Sequence, residues 1–335
     1  MSIGSEKTLM LTVMRNEGPY ILEWVAHHFS IGFDDLLIFT NNCTDNTDLI
    51  LDRLEVLMPH RIKHQPNPKV MFPDKGLWHV MALRYAGQFG RCRAADWLYV
   101  TDADEFLILK QKHKTLDDLM GEIGSTDAIS FTSVAFNSNG QKEQGSGQVK
   151  KRFTQTTKDL KAAKNEGRAS ITAVKTLFRN SIEGPRRPHR PVTSEFSTTG
   201  KRWVNGSGDA MPAEWTDAHN KGIEANGTRK HAQLNHYIIK SAAEFLLKVD
   251  RGDAVHAERL GKSAKYWNHA NTQGDVDKSG TTQSRAARAL FSEFLSDPVL
   301  RALHEESLEL RERRLSEILK TEQGDNLARA IGYYD

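Results

Sequence analysis

The sequence predicts an α/β protein with a central, mostly parallel sheet flanked by helices and with additional C-terminal helices. Short β-like runs alternate with amphipathic helical runs through the first half of the chain, as they do in parallel sheets. Polar motifs follow three of the β-like runs, and the last third is dense in Leu, Arg and Glu at helical spacing. A chain of 335 residues, 38% hydrophobic and 27% charged, can bury a large core.

The first half begins with a predicted buried strand at Thr8–Val13. Pro19 then opens a helix that extends to about Phe29, because proline suits the first helical turn. The second strand is predicted at Leu36–Thr40, and a polar turn follows it. The other elements predicted in this half are helices at Asp48–Leu57 and Leu77–Phe89 and strands at Arg61–His64, Asp96–Thr101 and Ala128–Phe136.

The second half is less regular and becomes helical towards its end. His236–Arg251 is predicted to be a helix. The stretch from Ala286 to about Thr321 is amphipathic and is interrupted at Pro298. We expect these C-terminal helices to pack on the body of the protein or on a second subunit, which would make a homo-oligomer.

Composition excludes several classes of protein. There is no run of about 18 apolar residues, so no transmembrane segment is predicted, and no signal-peptide pattern is visible. Cys43 and Cys92 are the only cysteines, which argues against a disulfide scaffold and fits a reducing compartment. The expected location is cytoplasmic.

A basic block extends from Lys150 to Arg202, where 14 Lys or Arg residues stand against 4 Asp or Glu residues. Such a block could face phosphates, an anionic glycan or a lipid surface, which allows peripheral membrane contact, or it could be a solvated insertion. Within it, His189 could bind a phosphate or an acceptor anion, or could simply be solvated. Because aromatic residues are not interleaved with the basic ones, no nucleic-acid partner is expected.

Two aspartates follow the predicted strand at Asp96–Thr101. In an extended backbone, Asp102 and Asp104 point the same way and can converge on one cation. Mg²⁺ and Mn²⁺ prefer such oxygen ligands and can bridge to a diphosphate. The alternative is a solvated turn. Two other polar segments, Arg15–Glu17 and Asn41–Thr47, also follow strands, and ligands bind where parallel strands end.

A second group of polar residues recurs every four positions: His236, Lys240, Glu244 and Lys248. On the predicted helix, this spacing would place His236, Lys240 and Lys248 along one slowly turning face. The imidazole of His236 could then complete a metal site, and the two lysines could hold phosphates. An ordinary exposed helix with charge pairs four residues apart would give the same pattern.

Several of these segments resemble the glycosyltransferase family 2-like proteins. The similarity includes Leu11–Glu17, Tyr99–Phe106 and Leu234–Lys248, within a matched region of about residues 8–252. The resemblance implies a GT-A-like nucleotide-diphospho-sugar transferase fold. It also implies that Asp104 is the main metal ligand and that Asp102 contacts the ribose, or the metal through water. The nucleoside would be flanked by Arg15, Asn16, Glu17, Asn42 and Asp45.

The implied function is that of a glycosyltransferase of the hexosyltransferase type. It would use Mn²⁺ or Mg²⁺ and a nucleotide-sugar donor, act on a glycan or anionic acceptor with inversion, and serve polysaccharide biosynthesis. We predict three regions: a nucleotide-sugar-binding half at 1–140, an acceptor half at 141–252 and a helical extension at 253–335. The general base is open among Glu195, Asp209, Glu214 and Asp217, with Asp209 placed first because it lies in a glycine-rich setting suited to a substrate loop.

Two other functions are compatible with the same fold. A sugar nucleotidyltransferase usually has a glycine-rich basic loop after its first strand, whereas this chain has Arg15-Asn16-Glu17-Gly18-Pro19. A catalytically inactive glycan-binding or partner-binding protein would have no use for converging metal ligands. Metal-dependent hydrolysis of a nucleotide-sugar would separate the transferase from the binding protein.

Overall fold

The computed structural model describes residues 6–72, 74, 77–145, 147–158, 171–212, 223–224, 227–252 and 260–334. The described residues form a nine-stranded central sheet and two small two-stranded sheets. The strands are β1 Thr8–Met14, β2 Asp35–Thr40, β3 Ile62–Pro66, β4 Trp97–Val100, β5 Glu105–Leu109, β6 Ala128–Ala135, β7 Gln155–Thr157, β8 Ile171–Thr172, β9 Val174–Arg179, β10 Trp203–Asn205, β11 Ile223–Glu224, β12 Ala232–His236 and β13 Gln273–Val276.

The central sheet has the order β3-β2-β1-β4-β9-β6-β12-β5, with β10 also paired to β6. Five of its eight strand pairings are parallel. Neighbouring residues of β1 face opposite sides of the sheet, so Met10 joins one hydrophobic core while Leu9 and Leu11 join the other. The predicted fold class, a largely parallel sheet covered by helices, is therefore confirmed.

Helices cover both faces of the sheet and extend to the C-terminal end. Within the described residues, none of them is long and apolar enough to cross a membrane. Their bounds are Gly18–Ser30, Thr47–Leu57, Trp78–Ala86, Gly90–Ala94, Leu116–Ile123, Val149–Arg152, Glu195–Thr198, Ala242–Arg251, Leu260–Ala270, Arg285–Ser296, Pro298–Leu319 and Glu322–Ala330, with a 3₁₀ helix at Pro68–Met71.

The predicted helix at His236–Arg251 is wrong in its first turn and a half. His236 ends strand β12, which pairs with β5 and β6. The helix begins at Ala242, where Ser241 and Glu244 form a reciprocal capping box. Lys240 has a left-handed backbone with φ of 56°, which a helix cannot contain. His236, Lys240 and Lys248 therefore do not share one helical face.

The C-terminal amphipathic stretch forms two helices that meet at Pro298, as predicted. Asp297 caps the second of them by accepting a hydrogen bond from the Leu300 N–H at 2.8 Å, and it also pairs with Arg53. Arg311 reaches from this helix to the carbonyl oxygen of Asn16 at 2.9 Å. These helices pack on the body of the protein next to the loop that follows β1. The predicted homo-oligomer stays a prediction.

Both predicted halves contribute strands to this one sheet, since β1–β6 come from residues 1–140 and β9, β10 and β12 come from residues 141–252. The division into donor, acceptor and helical regions stays a prediction.

Candidate active site

The polar motifs predicted at strand ends meet at one edge of the sheet. β1, β2 and β4 are neighbouring parallel strands, so their carboxyl ends lie together. The loop after β1 is tied to the turn after β2, because the Asn16 amide donates to the Thr44 hydroxyl at 3.0 Å and its oxygen accepts from the Thr44 N–H at 2.8 Å. The aspartate motif follows β4 at the same edge.

Asp102 is held on two sides by cationic or polar partners. Its Oδ2 accepts a hydrogen bond from Lys175 Nζ at 2.8 Å, and its Oδ1 accepts one from His79 Nε2 at 3.2 Å. Burial would raise the pKa of Asp102, but Lys175 and then His79 outweigh it, so that the pKa lies well below its usual value. The carboxylate therefore stays charged while about a third of its side chain is exposed.

Asp104 faces a histidine and a lysine from a distant part of the chain. Its Oδ1 lies 3.4 Å from His236 Nε2, and its Oδ2 accepts a hydrogen bond from Lys248 Nζ at 2.9 Å. Burial would raise the pKa of Asp104, but Lys248 and His236 hold it well below its usual value. The structure thus brings together Asp104, His236 and Lys248, as predicted. His236 comes from the end of β12 and Lys248 from the helix at Ala242–Arg251, and not from one helix.

Glu105 lies behind the two aspartates and is the most buried of the three carboxylates. Its Oε2 accepts hydrogen bonds from the Thr101 hydroxyl and the Asp102 N–H, both at 3.0 Å, and lies 3.4 Å from Lys175 Nζ. Burial raises the pKa of Glu105, although Lys175 acts against this. Glu105 and Lys175 therefore fix the turn that presents Asp102.

Lys240 is buried beside the same cluster. Its Nζ lies 4.3 Å from the centroid of the Tyr20 ring, and within the described residues it has no hydrogen bond or ion pair of its own. Burial lowers the pKa of Lys240, although Glu17 and Asp104 act against this. A lysine with a left-handed backbone, whose ammonium group lies near Glu17 and Asp104 without a hydrogen bond to either, costs stability and suits an anionic ligand.

The loop after β1 contains two buried polar atoms without a protein partner in the described residues, Arg15 Nε and Glu17 Oε2. The other carboxylate oxygen of Glu17 pairs with Arg251, which also donates to the carbonyl oxygen of Arg15 at 2.6 Å. Buried polar atoms normally have hydrogen-bond partners, so atoms without one at a strand end indicate where a ligand could supply them.

The turn after β2 contains two of the residues predicted to contact a nucleoside, Asp45 and Asn42, and they differ in their exposure to solvent. Asp45 is buried, and its carboxylate accepts hydrogen bonds from the Gly18 N–H at 3.1 Å and the Thr47 N–H at 3.2 Å, so that it fastens the loops together. Asn42 is exposed with a φ of 48° and lines a groove of about 760 Å³. The contacts of both residues with a nucleoside stay predictions.

The candidate acceptor residues are distributed differently. His189 lies near Lys175, Asp102 and His236, and one of its ring nitrogens is 3.1 Å from the carbonyl oxygen of Val174. Glu195 instead forms an ion pair with Lys201. Glu214 and Asp217 lie outside the described residues.

Asp209 lies away from Asp102 and Asp104. Its neighbour Gly208 accepts a hydrogen bond from Arg202, which also binds the carbonyl oxygens of Ile123 and Ser125 just before β6 begins. That is the opposite end of β6 from the edge where the aspartates lie. The contacts at Asp209 give no support to its predicted role as base, which stays a prediction.

The sequence analysis assigned no role to His79 or Lys175. His79 comes from the helix at Trp78–Ala86, and Lys175 from strand β9. A signal for Lys175 was present, because a charged lysine occupies a strand that is otherwise mainly apolar or small, Val174–Arg179. Its side chain is only 1% exposed, so it can be retained there only with partners of opposite charge.

The donor atoms at Asp104 and His236 suit a divalent cation. Two ligands of one ion, with bonds of about 2.1 Å, lie roughly 3 Å apart. The 3.4 Å between Asp104 Oδ1 and His236 Nε2 is close to this separation. Within the described residues, no group of three or more His, Cys, Asp or Glu side chains forms a metal site by itself. Asp104 and His236 could supply two of the ligands of such an ion.

A mostly parallel sheet with paired aspartates at one edge is the arrangement that the sequence resemblance predicted. A family model described as glycosyltransferase family 92 matches residues 14–184, just over half of the chain. The chain therefore belongs to glycosyltransferase family 92. The predicted glycosyltransferase domain is confirmed, while the family is family 92 and not specifically family 2.

One curated relative is a glycosyltransferase family 92 protein of Ricinus communis, which is 28% identical over 129 residues. That match covers 38% of this chain and only 22% of the relative. Among solved structures, the chain is similar to the mannosyltransferase PcManGT of Pyrobaculum calidifontis, with 12% identity, coverage of 98% and 84% of the two chains and a TM-score of 0.34. It is also similar to TarS 1-349 of S. aureus, with 12% identity, coverage of 98% and 89% and a TM-score of 0.33.

Proposed function

We propose that this chain transfers a sugar from a nucleoside-diphosphate donor to a hydroxyl group of a glycan or other acceptor. The observation that carries the proposal is the position of Asp104, whose two oxygens face His236 at 3.4 Å and Lys248 at 2.9 Å. The Asp104 carboxylate thus lies between His236, which we propose as a metal ligand, and Lys248, which we propose as a phosphate-binding cation. This combination suits a diphosphate leaving group better than it suits a purely structural ion pair.

A Mn²⁺ or Mg²⁺ ion would be held by Asp104 and His236. When bound, such an ion would neutralise the charge of the departing diphosphate. Asp102 would act beside the ion, through water or through the donor ribose. The hydrogen bonds that Asp102 accepts from Lys175 and His79 support this indirect role. One of its oxygens already binds a buried ammonium group and is less available as a direct metal ligand.

The phosphates would be held by Lys240 and Lys248. Lys248 is already shared between Asp104 and the carbonyl oxygen of Ile238, at 2.6 Å, so it would contribute charge while keeping its present contacts. Lys240 would contribute a new charge-assisted hydrogen bond, since its ammonium group has none within the described residues. The buried oxygen of Glu17 and the exposed amide of Asn42 would face the nucleoside.

The acceptor would approach from the side of His189, next to Lys175 and His236. We propose transfer with inversion, which requires a base on the face of the sugar away from the diphosphate. A cytoplasmic role in polysaccharide assembly agrees with the expected compartment and stays part of the proposal.

Differential scanning fluorimetry of the wild type and of Asp104→Ala against nucleoside diphosphates tests the donor site. A ligand that binds only the folded state raises its apparent stability by about 2.7 kcal/mol at a hundredfold excess over Kd. We expect one diphosphate to raise the Tm of the wild type only when Mn²⁺ or Mg²⁺ is present. Asp104→Ala should abolish this shift.

Asp117→Ala is the matched control, because Asp117 is an exposed aspartate on the helix at Leu116–Ile123. It should keep the full shift. If no diphosphate shifts the wild type with either metal, the donor site is wrong and the inactive binding protein becomes the better hypothesis. Metal-dependent hydrolysis of the matching nucleotide-sugar would then be absent as well.

A further inference from the structure

One surface segment exposes an unusual amount of apolar side chain. Five of the twelve exposed large hydrophobic residues in the described part of the chain lie within sixteen positions. They are Val70 at 48%, Met71 at 77%, Phe72 at 50%, Leu77 at 46% and Tyr85 at 42% exposure. Scattered exposed apolar residues need no explanation, but a local concentration of them indicates a contact surface.

These residues lie in, or directly beside, two elements that pack together. The short 3₁₀ helix at Pro68–Met71 adjoins the helix at Trp78–Ala86, because the Asn67 amide donates to the carbonyl oxygen of Trp78 at 3.1 Å. Lys69 also lies over the Trp78 ring, with its Nζ 5.6 Å from the centroid. Val70, Met71 and Leu77 therefore lie on adjoining segments, and Tyr85 lies about two turns further along the helix that follows Leu77.

Three arginines lie near the far end of that helix, and a fourth follows one of them in the sequence. Arg93 donates to the carbonyl oxygen of Gly87 at 3.2 Å, and a Cβ placed on Gly87 would lie 3.3 Å from Arg186 Nη1. Arg84 precedes Gly87 by one helical turn, and Arg187 follows Arg186. In the part of the chain that the structure describes, none of the four forms an ion pair with a carboxylate.

We propose that this basic–apolar face, made of Val70, Met71, Leu77, Tyr85, Arg84, Arg93, Arg186 and Arg187, docks on an anionic lipid bilayer. Exposed apolar side chains with cations nearby are what a surface needs to bind at the membrane interface. The arginines attract anionic headgroups, and the apolar side chains enter the boundary region of the bilayer. A soluble polyanion could bind the arginines but would make no apolar contact with the exposed Met71 side chain.

The same helix connects this face to the candidate active site. His79, one residue into the helix, donates to Asp102 at 3.2 Å. Docking would therefore hold the donor edge of the sheet beside the bilayer, where a membrane-bound acceptor could reach it. The docking proposal does not depend on sugar transfer, since it concerns binding alone.

Co-sedimentation with large unilamellar vesicles tests the proposal. The full chain should bind vesicles made of equal parts phosphatidylcholine and phosphatidylglycerol and should not bind pure phosphatidylcholine. Each arginine removed should weaken binding about fivefold, so that Arg84→Gln with Arg187→Gln should weaken it about 25-fold. Met71→Ser should weaken it about tenfold, because a largely exposed methionine would lose its apolar contact with the bilayer.

The matched control is Arg301→Gln with Arg313→Gln, which removes two exposed arginines from the helix at Pro298–Leu319. It should bind as the wild type does. Asp104→Ala should also bind normally, so that failure of the donor site and failure of docking are distinguished. The proposal is overturned if phosphatidylglycerol vesicles are not bound, if the control pair is equally impaired, or if soluble polyphosphate binds and vesicles do not.

Discussion

Two clusters of ionisable groups in the body of the protein behave in opposite ways. The ligand cluster at the sheet edge, Asp102, Asp104, Lys175 and Lys248, keeps its groups charged. The pKa values of its two aspartates are lowered and those of its two lysines are raised, because opposite charges outweigh burial.

The core cluster lies beneath the helix at Gly18–Ser30 and consists of Glu23, His27 and Lys150. Lys150 Nζ donates to His27 Nδ1 at 2.8 Å, and the Glu23 carboxylate accepts the Val149 N–H at 2.7 Å. Burial raises the pKa of Glu23, lowers that of His27 and lowers that of Lys150 to about 8. Every group in this cluster moves towards its neutral form.

The comparison shows that a shifted pKa does not by itself identify a ligand site. Both clusters are strongly perturbed. The direction of the shifts and the access to solvent distinguish them, because the side chains of Asp102 and Lys248 are 34% and 30% exposed while Lys150 is 2% exposed. Side chains that bind a metal and a diphosphate must stay ionised and accessible from solvent, whereas side chains in a core cluster can become neutral.

The largest expected effect comes from making the same substitution in each cluster. Lys175→Met would leave Asp102 and Glu105 without the cation that lies 2.8 and 3.4 Å from them. Breaking a buried ion pair on one side costs about 3–5 kcal/mol. Lys150→Met should cost less, because Lys150 is bound mainly by groups that tend to be neutral. Urea unfolding followed by circular dichroism measures the two free energies of unfolding at pH 7.

A second variant keeps this test decisive if Lys175→Met does not fold. Lys175→Met combined with Glu105→Gln removes one of the two uncompensated charges and should recover part of the lost stability. A loss below about 1 kcal/mol for Lys175→Met, or a larger loss for Lys150→Met, would contradict the distinction between the clusters.

The sheet and its edge motifs could be predicted from sequence because each depends on local pattern. An apolar strand followed directly by Asp102 and Asp104 is visible within ten residues, and the parallel arrangement follows from alternation of strands and helices. The segment from Ala232 to Lys248 was harder to predict. His236, Lys240 and Lys248 recur at helical spacing, but pairing with β5 and β6 makes the first part a strand.

The contacts of side chains that reach the site from distant elements could not be predicted from local pattern. Lys175 is 73 residues from Asp102 along the chain, and His79 is 23 residues away. Their contacts depend on which strands become neighbours, and β9 joins the sheet between β4 and β6 as an antiparallel strand. Only the presence of a lysine within a buried strand gave an indication of Lys175.

The pH dependence of stability should report the state of the core cluster. In the unfolded chain Lys150 has a pKa near 10.5, and in the folded protein burial lowers it to about 8. The unfolded state therefore binds more protons between these values, so the contribution of Lys150 to stability rises as pH rises from about 8 to 10.5. Relative to Lys150→Met, the wild type should gain up to about 1.4 kcal/mol per pH unit.

Subtracting the variant from the wild type at each pH removes the titration of groups that the two proteins share. Chemical unfolding between pH 7 and 10 gives the difference directly. Glu23, His27 and His28 face Lys150, and their own shifts favour neutral forms in the same way. A difference that falls with rising pH would mean that Lys150 is held as a cation, so that the core cluster would resemble the ligand cluster.

The smallest expected effect concerns Lys240, the buried cation of the ligand side that has no hydrogen bond within the described residues. Lys240→Asn should preserve the fold, because asparagine tolerates the φ of 56° at this position. It should weaken binding of the stabilising nucleoside diphosphate about tenfold, the usual contribution of a hydrogen bond to a charged group. Calorimetric titration of that diphosphate measures the change, with the exposed Lys320→Asn as control. Unchanged affinity in Lys240→Asn would mean that Lys240 serves the Tyr20 contact and not the phosphates, which would leave Lys248 as the proposed phosphate-binding lysine.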